Sequence, residues 1–387
     1  MSDLPSNIGA WQRSYAEIDN KDFGSANFAS GSKFKFENAI LLRVLYSKAL
    51  VCPESLKEWI NDRQMFPAAR QSQAEAAVMG QHYEPLLRIV KKPSKNWTLD
   101  DFINSGSFGP FLSLLALIER NNTDEEEESA VRYVTTPVVA RTRLQQPRRD
   151  PFVIPIKKST GQLDFAGTLA GEMDLGMPST TESAELPLSA EESVSRYERA
   201  RIKVQDEQTV NQCLINLLLP ISWPLGISGN VDPQRKAYIF VLQDTKAYEA
   251  RVDGVITHPN NKNDILGFLE VKRGHRTNEV RIQEVAQMVA FMYSKNKDPL
   301  RIDDNASALQ RSWLISMCAN ELFITIASCN RPWMEFLGTG EGLQEGMPEL
   351  KPENFLHMKE YGPYLLSNYH GLLAALKHLH ILLHPIS

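Results

Sequence analysis

The sequence has little cysteine: Cys52, Cys213, Cys318 and Cys329 are the only four in 387 residues. No two are close enough for a Cys-x-x-Cys pair, which excludes the usual structural zinc site, and nothing resembles a disulfide framework. Isolated cysteines suit a reducing compartment. Positive charge is not in excess either: Lys and Arg number 42 against 47 Asp and Glu, for a net charge of −5. That excludes a histone-like or ribosomal protein, so any nucleic-acid contact must come from a local basic patch. No run approaches 18 apolar residues, so no membrane span is expected. The stretch from Met1 to Trp11 lacks the apolar core of a signal peptide. The expectation is a soluble intracellular protein of the nucleus or cytoplasm. Hydrophobic residues make up 42% of the chain and charged residues 23%. Such a chain buries a core, in one large domain or two ordinary ones, and is not wholly disordered.

Residues 1–35 are rich in Ser, Asn and Gly and read as a loose N-terminal segment. From Phe36 the pattern turns helical, with Ile40, Leu41, Val44 and Leu45 at helical spacing. Pro53 opens a second helix carrying Leu56, Trp59 and Ile60. An Ala- and Gln-rich helix is expected over 67–91, and Phe108–Ile118 is a further apolar stretch. Residues 36–121 thus read as a helical region. The composition then shifts: Asp124–Glu128 is an unbroken acidic run, and no Lys or Arg occurs from Ser159 to Ser195. Residues 122–190 carry too little apolar area to offset their ordering entropy and read as a disordered or loosely attached linker. Within it Arg141, Arg143, Arg148, Arg149, Lys157 and Lys158 form a basic run broken by prolines. It reads either as a nuclear-import or nucleic-acid arm or as a solvated linker of mixed charge.

Residues 191–387 read as an α/β domain. A helix over 196–219, stopped by Pro220, precedes the short β-branched and aromatic runs Tyr238–Leu242, Glu249–Ile256, Ile265–Lys272, Trp313–Met317 and Leu322–Ala327. A helix over 278–295 separates the third and fourth, and an apolar helix over 367–383 closes the chain. The expected order is α-β-β-β-α-β-β-α.

Within this pattern one constellation carries chemistry. Residues two apart in a strand share a face, so Glu270 and Lys272 point the same way. The Asn-rich turn His258–Asp264 lets the preceding strand pair as a hairpin, which brings Asp253 beside Glu270. Two carboxylates and an ammonium in a core are costly unless compensated. Asp253, Glu270 and the Val271 carbonyl are oxygen donors suited to Mg²⁺ or Mn²⁺, and Lys272 is placed to position or deprotonate a water. The spacing Asp/Glu-x-Lys alone is common, and it also occurs at Asp19–Lys21, Asp244–Lys246 and Glu349–Lys351. Only Glu270–Lys272 ends a long apolar strand preceded by an Asp-bearing one. The rival reading is a salt bridge at a strand end.

Val252-Asp253, Glu270-Val271-Lys272 and a following helix with Gln287 resemble the PD-(D/E)XK nuclease superfamily. The nearer resemblance is to a fungal PD-(D/E)XK nuclease-like family. It is carried by Asp206–Asn211, Tyr248–Gly254, Leu269–Arg273 and Arg281–Met288. It covers roughly 200–340 and reaches the N-terminal region only in general character. The resemblance implies a restriction-endonuclease-like mixed sheet core flanked by helices. It also implies that Asp253 and Glu270 bind the metal, that Lys272 assists the attack, and that Glu207 and Gln287 belong to the same site. Some exonuclease branches place a Tyr four residues after the Gln, where this chain has Phe291 with Tyr293 beyond it. That departure weighs against a processive exonuclease.

Lys272, Arg273, His275, Arg276 and Arg281 form a local basic cluster. It reads as a phosphate-holding surface, with Arg273, Arg276 and Arg281 contacting nucleic acid, or as an ordinary solvated loop and helix start. His378, His380 and His384 do not share one helical face and read as structural. Trp223, Tyr238, Phe240 and Tyr248 read as core, and Gly338–Gly342 as a flexible loop without the Lys of a phosphate-binding loop. The expected function is metal-dependent phosphodiester hydrolysis of DNA. The alternatives are a catalytically inactive nuclease-like module that binds nucleic acid or protein, and an interaction protein working through its helical region.

Overall fold

The run Ile265–Val271 has apolar residues on both of its faces, and such a strand must be covered on both sides. A computed structural model of the chain meets that requirement. It describes residues 3–18, 30–49, 76–123, 206–222, 230–258, 261–295, 310–339 and 350–383, with isolated positions between them. The strands are β1 (Val44–Ala49), β2 (Asn230–Asp232), β3 (Lys236–Leu242), β4 (Thr245–Val252), β5 (Gly254–His258), β6 (Asn261–Lys272), β7 (Gln310–Cys318), β8 (Glu321–Cys329) and β9 (Leu356–Leu365). The helices are α1 (Ile8–Glu17), α2 (Phe36–Leu41), α3 (Glu84–Val90), α4 (Leu99–Asn104), α5 (Gly109–Thr123), α6 (Glu207–Ser222), α7 (Asn278–Lys295), α8 (Arg331–Thr339) and α9 (Tyr369–Leu383).

The protein is a mixed α/β structure. Its seven-stranded sheet runs β1-β9-β8-β7-β6-β5-β2, and β3 and β4 form a separate hairpin. The strands β5–β6, β7–β8 and β8–β9 pair antiparallel, and β6–β7 and β1–β9 pair parallel. The parallel β6–β7 step needs a crossover, which α7 provides. Alternation along the strands divides the core. Leu269, Val271, Trp313, Ile315 and Met317 face a cluster with α3, α5, α6 and α9. Phe268, Leu314, Ala327 and Met358 face a second cluster with α1, α2, α7, α8 and the β3–β4 hairpin. Gly267 is required where the sheet is crowded: a Cβ there would lie 2.3 Å from the Trp313 ring.

The helix over 278–295 and the five expected strand runs are present, with differences. The run Glu249–Ile256 is broken at Asp253 into β4 and β5, two strands of different sheets. The strands β2 and β9 and the helix α8 had no sequence expectation. β9 is hidden by its Gly362-Pro363 pair and by Glu360, whose type argues for exposure although it is buried.

The N-terminal expectations need correction. Residues 36–121 are not purely helical. Arg43, at φ 53, ends α2, and Val44 and Leu45 continue into β1, which pairs with β9 from Val44↔Leu356 onward. The expected helix over 67–91 is interrupted by turns before α3, and its residues 67–73 lie outside the described set, as does the helix expected at Pro53. Residues 1–35 are not uniformly loose either. Asn7 caps α1 by accepting from the Ala10 N–H, and Trp11 is 1% exposed. The Trp11 indole N–H donates to Ile40 O at 2.8 Å, and its ring stacks on Tyr15. One aromatic thus anchors a segment whose composition is polar. Trp11→Phe is expected to cost about 1–3 kcal/mol, from the lost hydrogen bond and the space left behind. Urea denaturation measures it; an unchanged midpoint would detach α1 from the fold.

The chain divides into two units, residues 1–125 with 203–387, and residues 126–202. The second unit falls outside the described residues, and with it most of the expected linker and the basic run from Arg141 to Lys158. Among the described residues no helix is long and apolar enough to cross a membrane.

Candidate active site

The β5–β6 hairpin places its two carboxylates side by side. The Asp253 N–H donates to Leu269 O at 3.0 Å, and Gly254 faces Leu269 in register. Asp253 Oδ2 accepts the Val271 N–H at 3.0 Å, and its Oδ1 accepts Arg235 Nε at 3.0 Å. Glu270 is 2% exposed. Its Oε1 accepts Lys272 Nζ at 2.5 Å and Gln283 Nε2 at 2.9 Å, and its Oε2 accepts Gln287 Nε2 at 2.6 Å. Gln283 and Gln287 are four apart on α7 and therefore present one face to Glu270. Lys272 Nζ also reaches Glu207 Oε1, at 3.5 Å, at the start of α6. Asp253, Glu270, Lys272, Glu207 and Gln287 thus meet at one end of the sheet. Val271 contributes its N–H to Asp253, while its side chain joins the opposite core. The sequence reading missed Gln283 and Arg235. The four-residue spacing to Gln287 was the signal for Gln283, whereas Arg235 sits in a loop before β3 with no motif to mark it.

Burial pushes the Glu270 carboxyl up to about 8, with Asp253 adding to the rise and Lys272 opposing it. Burial works against the Lys272 ammonium, yet Glu270 and Glu207 hold its titration above the ordinary lysine value. Lys272 therefore stays charged, and Glu270 protonates at a higher pH than an ordinary glutamate. The ordinary value for a glutamate is 4.5, so between 4.5 and about 8 the folded state holds a proton that the unfolded state has lost. Stability contributed at this residue is full below 4.5 and declines as pH rises through that window. Urea denaturation at pH 5, 6.5 and 8 is expected to show this decline, and Glu270→Gln to remove it. An identical slope in the variant would contradict a buried titrating Glu270.

The basic cluster resolves into two parts. Arg273 and His275 are exposed beyond the end of β6. Arg276 and Arg281 do not form a phosphate-holding surface, contrary to the sequence expectation. The Arg276 side chain is 2% exposed and bonds Glu284 through both terminal nitrogens. Its Nε donates to Glu360 Oε2 at 2.7 Å, its Nη1 to Ser316 Oγ at 2.8 Å and its Nη2 to Tyr46 Oη at 3.1 Å. Arg281 completes the network with two bonds to Glu360, at 2.9 and 3.0 Å. Burial alone would raise the Glu360 carboxyl, but Arg276 and Arg281 bring it below its ordinary range. Two buried acidic residues draw these arginines inward: Glu284, one turn beyond Arg281 on α7, and Glu360 from the distant strand β9.

Among the described residues no group of three or more His, Cys, Asp or Glu side chains is gathered as a metal site. The hairpin offers two carboxylates, a donor set of the kind that holds Mg²⁺ together with waters and substrate oxygens. Gln287 Oε1 is buried without a hydrogen-bond partner, an acceptor that a cation-bound water would satisfy. The residues therefore fit a hydrated Mg²⁺ or Mn²⁺ with few protein ligands. His378 is buried and bonds Tyr364 Oη through Nδ1 at 2.5 Å, which is a core role. Tyr238, Phe240 and Tyr248 are likewise core, and Gly338 and Thr339 end α8 instead of opening a loop.

No protein-family model matches the chain, and comparison with curated proteins finds no match.

Proposed function

We propose that the protein is a metal-dependent nuclease of the PD-(D/E)XK type acting on DNA, with a restriction-endonuclease-like core. The observation that carries the reading is the convergence of Asp253, Glu270 and Lys272 at the shared end of β5 and β6, with Glu207 and Gln287 beside them. An antiparallel hairpin followed by a helical crossover into a parallel neighbour supports the fold assignment. Asp253, Glu270 and the Val271 carbonyl would hold Mg²⁺ or Mn²⁺, which when bound polarises water and offsets charge on a phosphodiester. Gln283 and Gln287 fix both oxygens of Glu270, so that carboxylate is oriented before any substrate arrives. Lys272, held by Glu270 and Glu207, is placed to orient the attacking water and to stabilise charge on the phosphate. Arg273, exposed at the strand end, is suited to contact a nucleic-acid phosphate.

One observation favours a second reading, an inactive nuclease-like binding module. Every carboxylate oxygen of Asp253 and Glu270 already has a protein partner, as in a self-contained polar network. The test incubates purified protein with single- and double-stranded DNA and RNA, with Mn²⁺ and with chelator. Chelator-sensitive cleavage lost in Asp253→Asn supports the nuclease. Binding without cleavage supports the second reading.

A further inference from the structure

The loop between β2 and β3 brings to this site a cation that belongs to none of the motifs. Asp232 Oδ1 accepts the Gln234 N–H at 3.0 Å, an Asx turn that redirects the chain after Pro233. The turn is seated against Gly254. A Cβ there would lie 2.9 Å from the Asp232 carbonyl oxygen and 3.5 Å from Pro233 Cα. Having no side chain at 254 lets the loop approach, and Arg235 Nε then sits 3.0 Å from Asp253 Oδ1.

The two partners differ in environment. The Asp253 side chain is 11% exposed and that of Arg235 is 66% exposed. A pair with one partner so exposed is weak, and the arginine can swing into solvent without losing packing. Lys272 cannot: it lies between Glu270 at 2.5 Å and Glu207 at 3.5 Å. Asp253 Oδ2 is held by the Val271 N–H, so an incoming cation competes at Oδ1, the oxygen that Arg235 holds.

We propose that Arg235 is a displaceable counter-ion for Asp253, which yields that oxygen to a divalent cation and then pairs with a backbone phosphate of the nucleic acid at the mouth of the site. The inference rests on the metal-dependent nuclease reading above. A phosphate drawn to the cation brings negative charge within the reach of the released guanidinium. The planar fork of arginine suits phosphate better than the point charge of a lysine. Arg235 is thus a positioning residue that keeps the empty site neutralised and orients substrate in the loaded one.

Arg235→Gln separates the two roles, and because the side chain is exposed the variant is expected to fold, which circular dichroism checks. Mn²⁺ titration by calorimetry, without substrate, is expected to give roughly two- to fivefold tighter binding in the variant, the factor that an exposed ion pair is worth. Duplex DNA binding, measured with Ca²⁺ in place of Mn²⁺, is expected to weaken about tenfold, with the salt slope reduced by about 1. Arg235→Lys is expected to restore the competition with Mn²⁺ and only part of the DNA affinity. Unchanged Mn²⁺ affinity or unchanged DNA binding in Arg235→Gln overturns the proposal, provided that the wild type binds Mn²⁺ and Asp253→Asn does not. If the wild type binds no Mn²⁺, the nuclease reading fails first and this inference falls with it.

Discussion

Replacing Glu270 with Gln, or Lys272 with Met, is expected to reduce metal-dependent cleavage by roughly 10²-fold or more, since charge stabilisation and water activation supply most of such a rate. The two changes act differently. Glu270→Gln keeps the shape of the side chain but removes the charge that would hold a cation. It also requires Gln283 or Gln287, both of which donate to Glu270, to turn its amide so that its oxygen accepts from the NH2 introduced at 270. Lys272→Met keeps the stem and removes the ammonium that bridges Glu270 and Glu207. Neither is expected to unfold the protein. Glu270→Gln exchanges a desolvated carboxyl for a neutral amide of the same shape, and its stability should stay within about 1–2 kcal/mol of wild type. Single-turnover cleavage beside thermal unfolding separates loss of chemistry from loss of fold. Unaltered cleavage by both variants, in a preparation free of contaminating nuclease, would remove these residues from the mechanism. An inactive binding module would show no cleavage to lose, and its nucleic-acid affinity would change little.

The centre of this site was legible because its residues lie on two adjacent strands and the helix that follows. Alternation alone puts Glu270 and Lys272 on one face, and a short turn alone brings Asp253 beside them, as the register Gly254↔Leu269 bears out. The helix over 278–295 was legible from its apolar period. The environment of the site was not, because it comes from elsewhere. Arg235 arrives from a loop admitted by Gly254, and Glu360 from a strand whose Gly-Pro pair and buried charge disguise it. Local sequence made Arg276 and Arg281 a surface patch; only the pairing of β1 with β9 and the packing of α7 bring Tyr46, Glu284 and Glu360 around them. Val44 and Leu45 show the same limit. They continue a helical period from Ile40 and Leu41, and the positive φ of Arg43 that redirects them has no marker in an arginine.

The Arg276 network carries the largest expected effect on stability. Arg276→Met removes the cation from between Glu284 and Glu360, side chains that are 0% and 4% exposed. Breaking a buried pair from one side typically costs about 3–5 kcal/mol, because the remaining charge has lost its solvation and its partner. Arg281 can still serve Glu360, but Glu284 loses both bonds that it receives from Arg276. Adding Glu284→Leu to Arg276→Met removes the stranded charge and fills part of the space. The double variant is therefore expected to be more stable than Arg276→Met alone, and a double-mutant cycle gives the coupling. The same cycle reports on the site, because Ser316, which bonds Arg276, faces Glu270 in register, and α7 carries Glu284 beside Gln283 and Gln287. Cleavage is expected to follow the folded fraction in the double variant, with the salt slope of DNA binding unchanged, since Arg276 touches no solvent-facing phosphate. A reduced slope with undiminished stability would return Arg276 to the nucleic-acid surface and overturn its place in the core.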